Sequence, residues 1–483
     1  MHRIINFHIV FKIISRNLLI LGVGLLACIG PAIWFSEEIK PFLLTALISF
    51  TIGGILYFFV RRVKAEEPIH KKDTYFTVTL SWFLITLIGS LPYLFSGSIP
   101  SFVDAYFESV SGFSTTGASI LTDIEVLPKS ILFWRSLTHW IGGIGIIVLV
   151  ILIMPSLKIG GYHLFSLESS LQEKIKPRIR AVGKRLLWIY IGLTLAEVIF
   201  LLFGKMSLFD SLCHSFCTIA TGGFGTKNTS IINYSPYIQY VIMIFMLLAG
   251  TNFLVHYYLL KGKFKKIRFN EEVRFYLTVI FIIGLALTGI IYFQMDRSPE
   301  AAFREAFFQL ISIVTCTGFA SADYLLWPTA GWMIIFFSMF LGGCTGSTAG
   351  GIKMARHLIF LKNIRNYNRQ IISPHAILPV RLNNNVVNPE TNNTILTFIL
   401  VYILIFFTGT TIMSGLGLDL ATSASSVATC MAGIGPGIGT VGPVSNYAHL
   451  PDVAKLLLAW LMIIGRLEIY TVIVLFSPAF WKK

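Results

Sequence analysis

The chain has 483 residues, of which 55% are hydrophobic and only 13% are charged. Typical soluble domains contain about 25% charged residues, so this composition nearly excludes a soluble enzyme. The 38 Lys and Arg residues exceed the 23 Asp and Glu residues, which gives a formal net charge of +15. The basic residues stand between long apolar runs instead of along one solvated face, so we expect no nucleic-acid partner. The six cysteines form no CxxC motif and no Cys/His pair, which argues against a disulfide framework or a zinc site.

The apolar runs predict an all-α polytopic membrane protein. A spanning helix needs about 20 mostly apolar residues, and hydropathy windows of about 19 residues detect ten such runs in this chain. The first run has no small-residue cleavage signature, so we expect it to remain as a helix. The predicted crossings are 14–35, 41–60, 74–96, 131–155, 184–204, 236–260, 273–294, 330–361, 394–416 and 453–477.

The distribution of Lys and Arg predicts the orientation in the membrane. Of these 38 residues, 29 lie in the two tails and in alternate connections, which the positive-inside rule assigns to the cytoplasm. Both termini are therefore predicted to be cytoplasmic, in agreement with an even number of crossings. The basic connections either serve topology alone or, at 156–183 and 362–392, also form a docking face for a cytosolic partner.

Four segments align without a gap and predict a fourfold internal repeat. Each is a half-length apolar segment that ends in a Gly-centred polar stretch. The segments are FVDAYFESVSGFSTTG (102–117), LFDSLCHSFCTIATGG (208–223), FREAFFQLISIVTCTG (303–318) and LATSASSVATCMAGIG (420–435). The predicted unit is a helix, a re-entrant half-helix with its pore loop, and a second helix. We therefore expect two extra N-terminal helices in 1–72, then repeats at 73–156, 157–262, 263–392 and 393–483, the third with a broken second helix.

The repeated segment is predicted to bind a monovalent cation. About a dozen helical residues reach only halfway across the hydrocarbon layer, and irregular backbone at that depth must be shielded by protein or line a water-filled path. Because Gly allows close backbone approach, four such stretches around an axis can point carbonyl oxygens at a dehydrated alkali ion. The four Gly-centred stretches contain no acidic or basic residue, which argues against a divalent cation or an anion. The acidic residues Asp104, Asp210 and Glu305, with Asp419 ahead of the fourth segment, suit the N-terminal ends of the half-helices.

The sequence LGGCTGSTAGGIK at 341–353 interrupts the eighth predicted crossing. Each Gly costs about 1 kcal/mol relative to Ala in a helix, so we expect an irregular segment. Its backbone is predicted to line the cavity below the filter, the name used here for the four Gly-centred stretches expected to bind the ion. The alternative is a flexible helix-packing motif. We interpret the irregular segment as a candidate gate of the ion path. Lys353 either belongs to this gate or only marks its cytoplasmic end. The candidate gate residues of the segment are Gly342, Gly343, Gly346, Ser347, Thr348, Gly350, Gly351 and Lys353.

Arg466 lies inside the last apolar crossing, where a charge costs at least about 2.5–3.5 kcal/mol on insertion scales. We expect it either to line the inner cavity as a barrier to cations or to pair with a carboxylate, Glu468 or Glu197. Arg135 and His139, in FWRSLTHW, serve either helix packing or function. His139 alone gives no basis for proton coupling.

The Gly-centred stretches resemble those of the Trk/Ktr/HKT superfamily of potassium transporters, most closely its bacterial TrkH/TrkG branch. They read STTGAS (114–119), ATGGFGT (220–226), TCTGFAS (315–321) and GIGPGIG (433–439), and the resemblance covers nearly the whole chain. In this superfamily a Ser in the first filter accompanies sodium permeation, so Gly117 favours potassium.

The resemblance also implies which residues bind the ion. Relatives usually have Asn in the stretch before GPG, where this chain has Ala432 and Gly433, so the fourth filter departs from the family pattern. The implied potassium ligands are the residues at and just before each Gly: Thr115, Thr116, Gly117, Thr221, Gly222, Gly223, Cys316, Thr317, Gly318, Gly433, Ile434 and Gly435.

Family resemblance further implies a homodimer in the bacterial inner membrane, with an intramembrane loop that obstructs the pore and moves on activation. The chain has no Walker motif and no dinucleotide fingerprint, so we expect no cofactor in it. Nucleotide or NAD would bind to a cytosolic ring of TrkA-type regulatory subunits. The leading hypothesis is channel-like potassium uptake, and the alternative is a symporter that couples potassium to sodium or protons. We expect no enzymatic activity, because no converging set of catalytic side chains is recognisable.

Overall fold

The computed structural model describes residues 5–61, 71–152 and 175–482, with side chains described outside 146–152 and 175–182. The predicted docking segment 156–183 therefore lies mostly outside the described residues. Within the described ranges the secondary structure is almost entirely helical. The exception is one short hairpin, β1 (Arg381–Leu382) with β2 (Asn385–Val386).

The N-terminal helices precede the repeats. They are α1 (Phe7–Ala27), α2 (Ile29–Trp34) and α3 (Lys40–Val60). Uninterrupted apolar sequence makes the α1–α2 segment and α3 long enough to cross a membrane. Small polar side chains hold α1 against α3, because Ser15 and Ser49 each donate a 2.7 Å hydrogen bond to a carbonyl on the other helix, that of Gly53 or Leu18.

Each of the four repeats contains an entering helix, a short helix and a returning segment. Repeat 1 consists of α4 (Lys71–Gly89), α5 (Leu91–Phe95), α6 (Phe102–Phe113) and α7 (Lys129–Leu152). Repeat 2 consists of α8 (Ile175–Phe203), α9 (Leu208–Ile219), α10 (Pro236–Ala249), α11 (Phe253–Leu260) and α12 (Phe264–Arg268). Repeat 3 consists of α13 (Glu271–Gln294), α14 (Pro299–Val314), α15 (Thr329–Ser338) and α16 (Met354–Ile372). Repeat 4 consists of α17 (Pro389–Gly415), α18 (Leu420–Ala432), α19 (Asp452–Arg466), α20 (Tyr470–Ile473) and α21 (Pro478–Trp481).

Within the described residues helices occupy all ten predicted crossings, but three of these crossings are sharply bent or broken. Six helical segments of the described chain are long and apolar enough to span a membrane on their own. The predicted crossing 236–260 bends by 101° between α10 and α11, and 453–477 bends by 108° between α19 and α20. The side chain of Asn252 caps a new helix after the first bend, and Glu468 has a left-handed backbone at the second, with φ of 59°. The eighth crossing is broken between α15 and α16, as its Gly content predicts.

Polar side chains are concentrated in the interior of the molecule. Large apolar side chains such as Phe59 and Phe293 are 71% and 83% exposed on the outer faces of spanning helices. Most of the buried Ser and Thr residues of repeats 2 and 4 lie instead in the short helices and the Gly-centred stretches that follow them. This distribution is the one expected of a membrane protein whose irregular backbone is shielded by its own helices.

Candidate functional site

The short helices α6, α9, α14 and α18, here called the half-helices, each begin at a capping side chain. Ser101, Ser207, Ser298 and Asp419 accept a hydrogen bond from a backbone N–H of the first turn. The C-terminal ends, which carry partial negative charge, lead directly into the Gly-centred stretches. The third half-helix starts earlier than the repeat predicts, so Glu305 lies in its second turn and not at its N-terminus.

All four half-helices end in the same hydrogen-bond pattern. The N–H of the residue before each aligned Gly donates to the carbonyl five residues back, over 2.8–2.9 Å in every repeat. This is the terminal bond of a Schellman motif. It turns these N–H groups away from the centre between the four half-helices. The donor and acceptor pairs are Thr116 with Ser111, Gly222 with Cys217, Thr317 with Ser312, and Ile434 with Thr429.

In each Gly-centred stretch, the residue two positions before the aligned Gly has a left-handed backbone. The φ angles are 53° at Thr115, 54° at Thr221, 57° at Cys316 and 73° at Gly433. For a β-branched residue this conformation is a genuine outlier, with a cost of order 1–3 kcal/mol that the surrounding structure must hold in place. In the fourth repeat the position is occupied by Gly, and Gly and Asn are the residues that adopt it most readily. The sequence departure at Gly433 therefore preserves the backbone geometry.

The four aligned glycines close a ring around a common axis. A Cβ atom on Gly117 would lie 2.1 Å from the carbonyl oxygen of Gly222, and one on Gly223 would lie 2.0 Å from that of Thr317. The ring continues from Gly318 to Ile434, at 1.8 Å, and from Gly435 back to Thr116, at 2.7 Å. In each case the carbonyl belongs to the equivalent residue of the next repeat. Positive φ angles of 78–94° at the four glycines add a second reason why no side chain fits there.

Side-chain hydroxyls near the ring are largely occupied by neighbouring residues. Thr116 and Ser114 share a hydrogen bond of 2.7 Å, and Thr317 and Thr315 share the equivalent bond of 2.8 Å. Thr221 donates to the carbonyl of Ala220 over 2.6 Å. Backbone oxygens, more than these hydroxyls, are therefore the groups that remain to face the centre.

The loop between α15 and α16 packs against the C-terminal ends of two half-helices. Thr348 donates a hydrogen bond of 3.0 Å to the carbonyl of Ile219, the last residue of α9. A Cβ on Gly350 would lie 2.0 Å from the carbonyl oxygen of Ala432, the last residue of α18. Positive φ angles at Gly346 and Gly351 complete the irregular path. The loop thus touches repeats 2 and 4 at the points where their filter stretches begin.

Other contacts anchor this loop to repeats 2 and 3. Its Cys344 N–H donates to the carbonyl of Gly250 over 2.8 Å at the bend of repeat 2. On α13, Glu272 accepts hydrogen bonds from the N–H groups of Thr345, at 2.5 Å, and Ala355, at 3.2 Å. Within the loop, Gly342 packs so closely on the carbonyl of Gly350 that a Cβ would lie 2.5 Å from it.

Arg466 connects the loop to repeat 1. Its guanidinium donates to the carbonyl of Thr348 over 2.8 Å and to the carbonyl of Gly142, on α7, over 3.2 Å. Of the two predicted carboxylate partners, Glu468 pairs instead with Arg356 at 2.6 Å, and Glu197 has no hydrogen-bond partner among the described residues. The ion-pair alternative is therefore wrong in this structure, because backbone carbonyls and not a carboxylate receive the charge.

Two further candidates have local partners. Lys353 donates to the carbonyl of Ala349 within the same loop. His139 stacks on the ring of Phe224 with the centroids 4.2 Å apart, and a Cβ on Gly222 would lie 2.2 Å from its Nδ1 atom. These contacts place His139 as a packing residue behind the second filter stretch.

Comparison with known proteins assigns the chain to a family. A family profile described as TrkH, cation transport protein, matches residues 38–483. The chain belongs to the TrkH family. It is 35% identical to the Trk system potassium uptake protein TrkH of Salmonella typhimurium over 92% of each chain. It is 34% identical to the corresponding TrkG protein of Escherichia coli over 94% of each chain.

A solved structure of a TrkH protein has the same fold. The crystal structure of the potassium transporter TrkH from Vibrio parahaemolyticus matches with a TM-score of 0.91 at 32% identity, over 99% of this chain and 100% of that one. The predicted fold of an α-helical membrane protein related to the TrkH/TrkG branch is thus confirmed.

The structure of this TrkH-family chain also contains a set of residues that sequence reasoning missed. In each repeat a polar side chain of the half-helix bonds to the third residue after the aligned Gly. In the fourth repeat the side chain is one position earlier than in the others. The four aligned segments show a polar residue at their seventh position, which was the available signal. The pairs are Glu108 with Ile120, His214 with Thr226, Gln309 with Ser321, and Ser425 with Ile438.

The described residues contain no group of three or more His, Cys, Asp or Glu that could hold a metal ion. All six cysteines are buried and unpaired. The candidate cation site in the described part of the chain is the ring of backbone oxygens around the four aligned glycines.

Proposed function

We propose that this protein takes up potassium through a pore whose filter is the ring of Gly-centred stretches. The observation that supports this most directly is the cyclic contact of each aligned Gly with a carbonyl of the next repeat. The relatives named above are potassium uptake proteins by name. Potassium is the substrate, and the ligands proposed from the sequence are the backbone oxygens at and just before Gly117, Gly223, Gly318 and Gly435.

The proposed mechanism replaces the hydration shell of the ion by peptide oxygens. The four half-helices further stabilise a cation in the filter, because each helix C-terminus carries a partial charge of about −0.5 and is aimed at the filter. Since no carboxylate lies in the filter stretches, the electrostatic field of the filter favours a monovalent cation. Binding without carboxylates also leaves the ion free to be released. Uptake then follows the electrochemical gradient without a coupled ion.

The loop between α15 and α16 is the proposed gate. Its contacts with Ile219 and Ala432, together with the bond from Arg466, support a position across the end of the filter where the Gly-centred stretches begin. A cation approaching this guanidinium is repelled by about 4 kcal/mol at 4 Å, for an effective dielectric constant of about 20. Opening requires the loop to leave Thr348 and carry its backbone away from the axis.

A cytosolic nucleotide-binding regulator of the TrkA type is the proposed partner that moves this loop, and a homodimer is the proposed assembly. The word system in the relatives' names suggests more than one component. Supporting features lie at 362–392, where Ile371, Ile372 and Ile377 are 65%, 83% and 93% exposed beside the polar end of α16. We place this face and both termini in the cytoplasm, with the protein in the inner membrane.

Ion flux in liposomes tests the proposal. Purified protein is reconstituted and one cation gradient is imposed at a time. We expect downhill potassium movement that is unaffected by gradients of sodium or protons. Potassium movement that requires a sodium or proton gradient would establish the symporter instead, and equal flux of sodium and potassium would exclude the selective filter.

A further inference from the structure

In repeat 1 the residues that follow the aligned Gly are held by a buried ion pair, and among the described residues the other three repeats have no ion pair at the equivalent position. In repeat 1, Arg135 and Glu108 form an ion pair at 2.8 Å, with side chains that are 1% and 0% exposed. The same carboxylate accepts the N–H of Ile120 at 3.0 Å and the hydroxyl of Ser119 at 3.0 Å. The equivalent hydrogen bonds of the other three repeats use the imidazole of His214, the amide of Gln309 and the hydroxyl of Ser425, and in repeat 2 the carboxylate of Asp210 also accepts the hydroxyl of Thr226 over 2.7 Å. Hydrogen bonds to charged groups are about twice as strong as neutral ones, and repeat 1 is the repeat of the described chain in which such bonds are combined with an ion pair.

Arg135 also reaches into the next repeat. Its Nη1 atom donates to the carbonyl of Gly225 over 3.3 Å, and its guanidinium carbon lies 4.1 Å from the ring centroid of Phe224. Both residues directly follow the filter Gly of repeat 2. One side chain thus connects the back of the first filter stretch to the backbone of the second.

Two other ion pairs join neighbouring repeats, Arg356 with Glu468 between repeats 3 and 4 and Lys455 with Asp104 between repeats 4 and 1, and in the described chain neither is hydrogen-bonded to a Gly-centred stretch. At the Gly-centred stretches themselves, the other junctions are made by neutral groups. Repeats 2 and 3 meet through the N–H of Ile231 and the carbonyl of Ala320, at 3.0 Å. Repeats 3 and 4 meet through the hydroxyl of Tyr324 and the carbonyl of Gly437, at 2.5 Å. The N–H of Tyr447 reaches Ser119 of repeat 1 over 2.8 Å. In the described chain, the junction of repeats 1 and 2 is thus the one at which a buried ion pair is hydrogen-bonded to the Gly-centred stretches of both repeats.

Stability alone does not account for such a pair. Desolvation of two buried charges offsets their attraction, so apolar replacements of similar volume are often neutral or stabilising. A ring of carbonyls that is held rigidly from behind, however, cannot contract around a smaller cation. The location of the pair at a filter junction is explained if it fixes the spacing of two filter stretches.

We propose that Glu108 and Arg135 are positioning residues that set the distance between the first and second filter stretches and thereby the discrimination of potassium against sodium. Neither side chain contacts the ion. This inference rests on the proposed potassium function and adds to it a second determinant of selectivity outside the filter itself.

The test uses a charge-free replacement that keeps the packing. The double variant Glu108→Gln/Arg135→Met retains an acceptor for the N–H of Ile120, as Gln309 does for Ser321 in repeat 3, and fills the volume of Arg135. Bi-ionic reversal potentials in planar bilayers give the permeability of sodium relative to potassium. We expect this ratio to rise at least about fivefold, which corresponds to about 1 kcal/mol.

Arg135→Lys is the second variant, and it decides the question if the double variant does not fold. It keeps the charge beside Glu108 but replaces the planar fork by a point charge, which cannot hold Glu108 and Gly225 together. We expect a smaller rise of the same ratio with unchanged elution and melting in detergent. A purely structural role would alter the melting temperature and leave the permeability ratio of the folded protein as it was.

Glu125→Gln is the matched control. It breaks the exposed pair of Glu125 and Lys227, 3.2 Å apart at the outer side of the same junction, and should leave the ratio unchanged. Wild-type protein without discrimination would refute the proposed function. Discrimination that persists unchanged in the folded variants, or that is lost equally in Glu125→Gln, would refute the positioning role and leave the function standing.

Discussion

Replacing Gly318 by Ser should reduce the discrimination of potassium against sodium more than the same change at any other filter glycine. The new Cβ would lie 1.8 Å from the carbonyl oxygen of Ile434, so this oxygen must move by about 1.6 Å to reach the 3.4 Å of an ordinary contact. The φ angle of 83° adds a backbone cost of about 1–2 kcal/mol for any residue with a Cβ. A loss of 1.4 kcal/mol in discrimination is a factor of ten.

The assay is the bi-ionic reversal potential of the reconstituted protein. We expect the permeability ratio to change at least about tenfold for Gly318→Ser and least for Gly435→Ser, where the nearest carbonyl oxygen is 2.7 Å away. Gly289→Ser, in the same repeat but with open space around the position, is the control. An unchanged ratio for Gly318→Ser, or an equal effect of the control, would contradict the proposed ring of carbonyls.

Three further predictions concern the loop and one helix end. Arg466→Ala should raise basal flux about 10- to 100-fold, because hydrogen bonds to charged groups contribute about 1.5–3 kcal/mol; folded protein without any increase would refute the barrier. Glu272→Ala should also raise basal flux, by releasing the N–H groups of Thr345 and Ala355, and flux measured at equal protein content checks it. The hydroxyl and N–H of Thr422 lower the pKa of Asp419. The ionised carboxylate therefore stabilises the fold above its unfolded pKa of about 3.9, and this stabilisation is lost as the pH falls through the lower folded pKa. Asp419→Asn should remove this acid-dependent part of the melting temperature, and an unaltered pH profile would contradict the prediction.

Much of the fold follows from local patterns in the sequence. Apolar length predicted all ten helical segments, and the alignment of four segments predicted the half-helices to within a few residues. The Gly content of 341–353 predicted the break between α15 and α16. The bends at Gly250 and Glu468 were not predicted, because the apolar sequence runs through both and only contacts with the loop and with Arg356 distinguish them from straight crossings.

The features of the candidate site that lie within a single repeat could be predicted from the sequence, whereas the contacts between repeats could not. Gly117 and the other aligned glycines were singled out because the same pattern recurs four times along the chain, and Thr115 was proposed from the family resemblance. The contact of Gly318 with Ile434 and the bond of Arg135 to Gly225 join residues from different copies, and no spacing within a copy encodes them. Arg466 shows the same limit, since its partners are backbone carbonyls that have no signature in the sequence. A repeated motif therefore predicts the parts of the proposed filter, whereas the proposed selectivity and closure depend on junctions that only the folded chain creates.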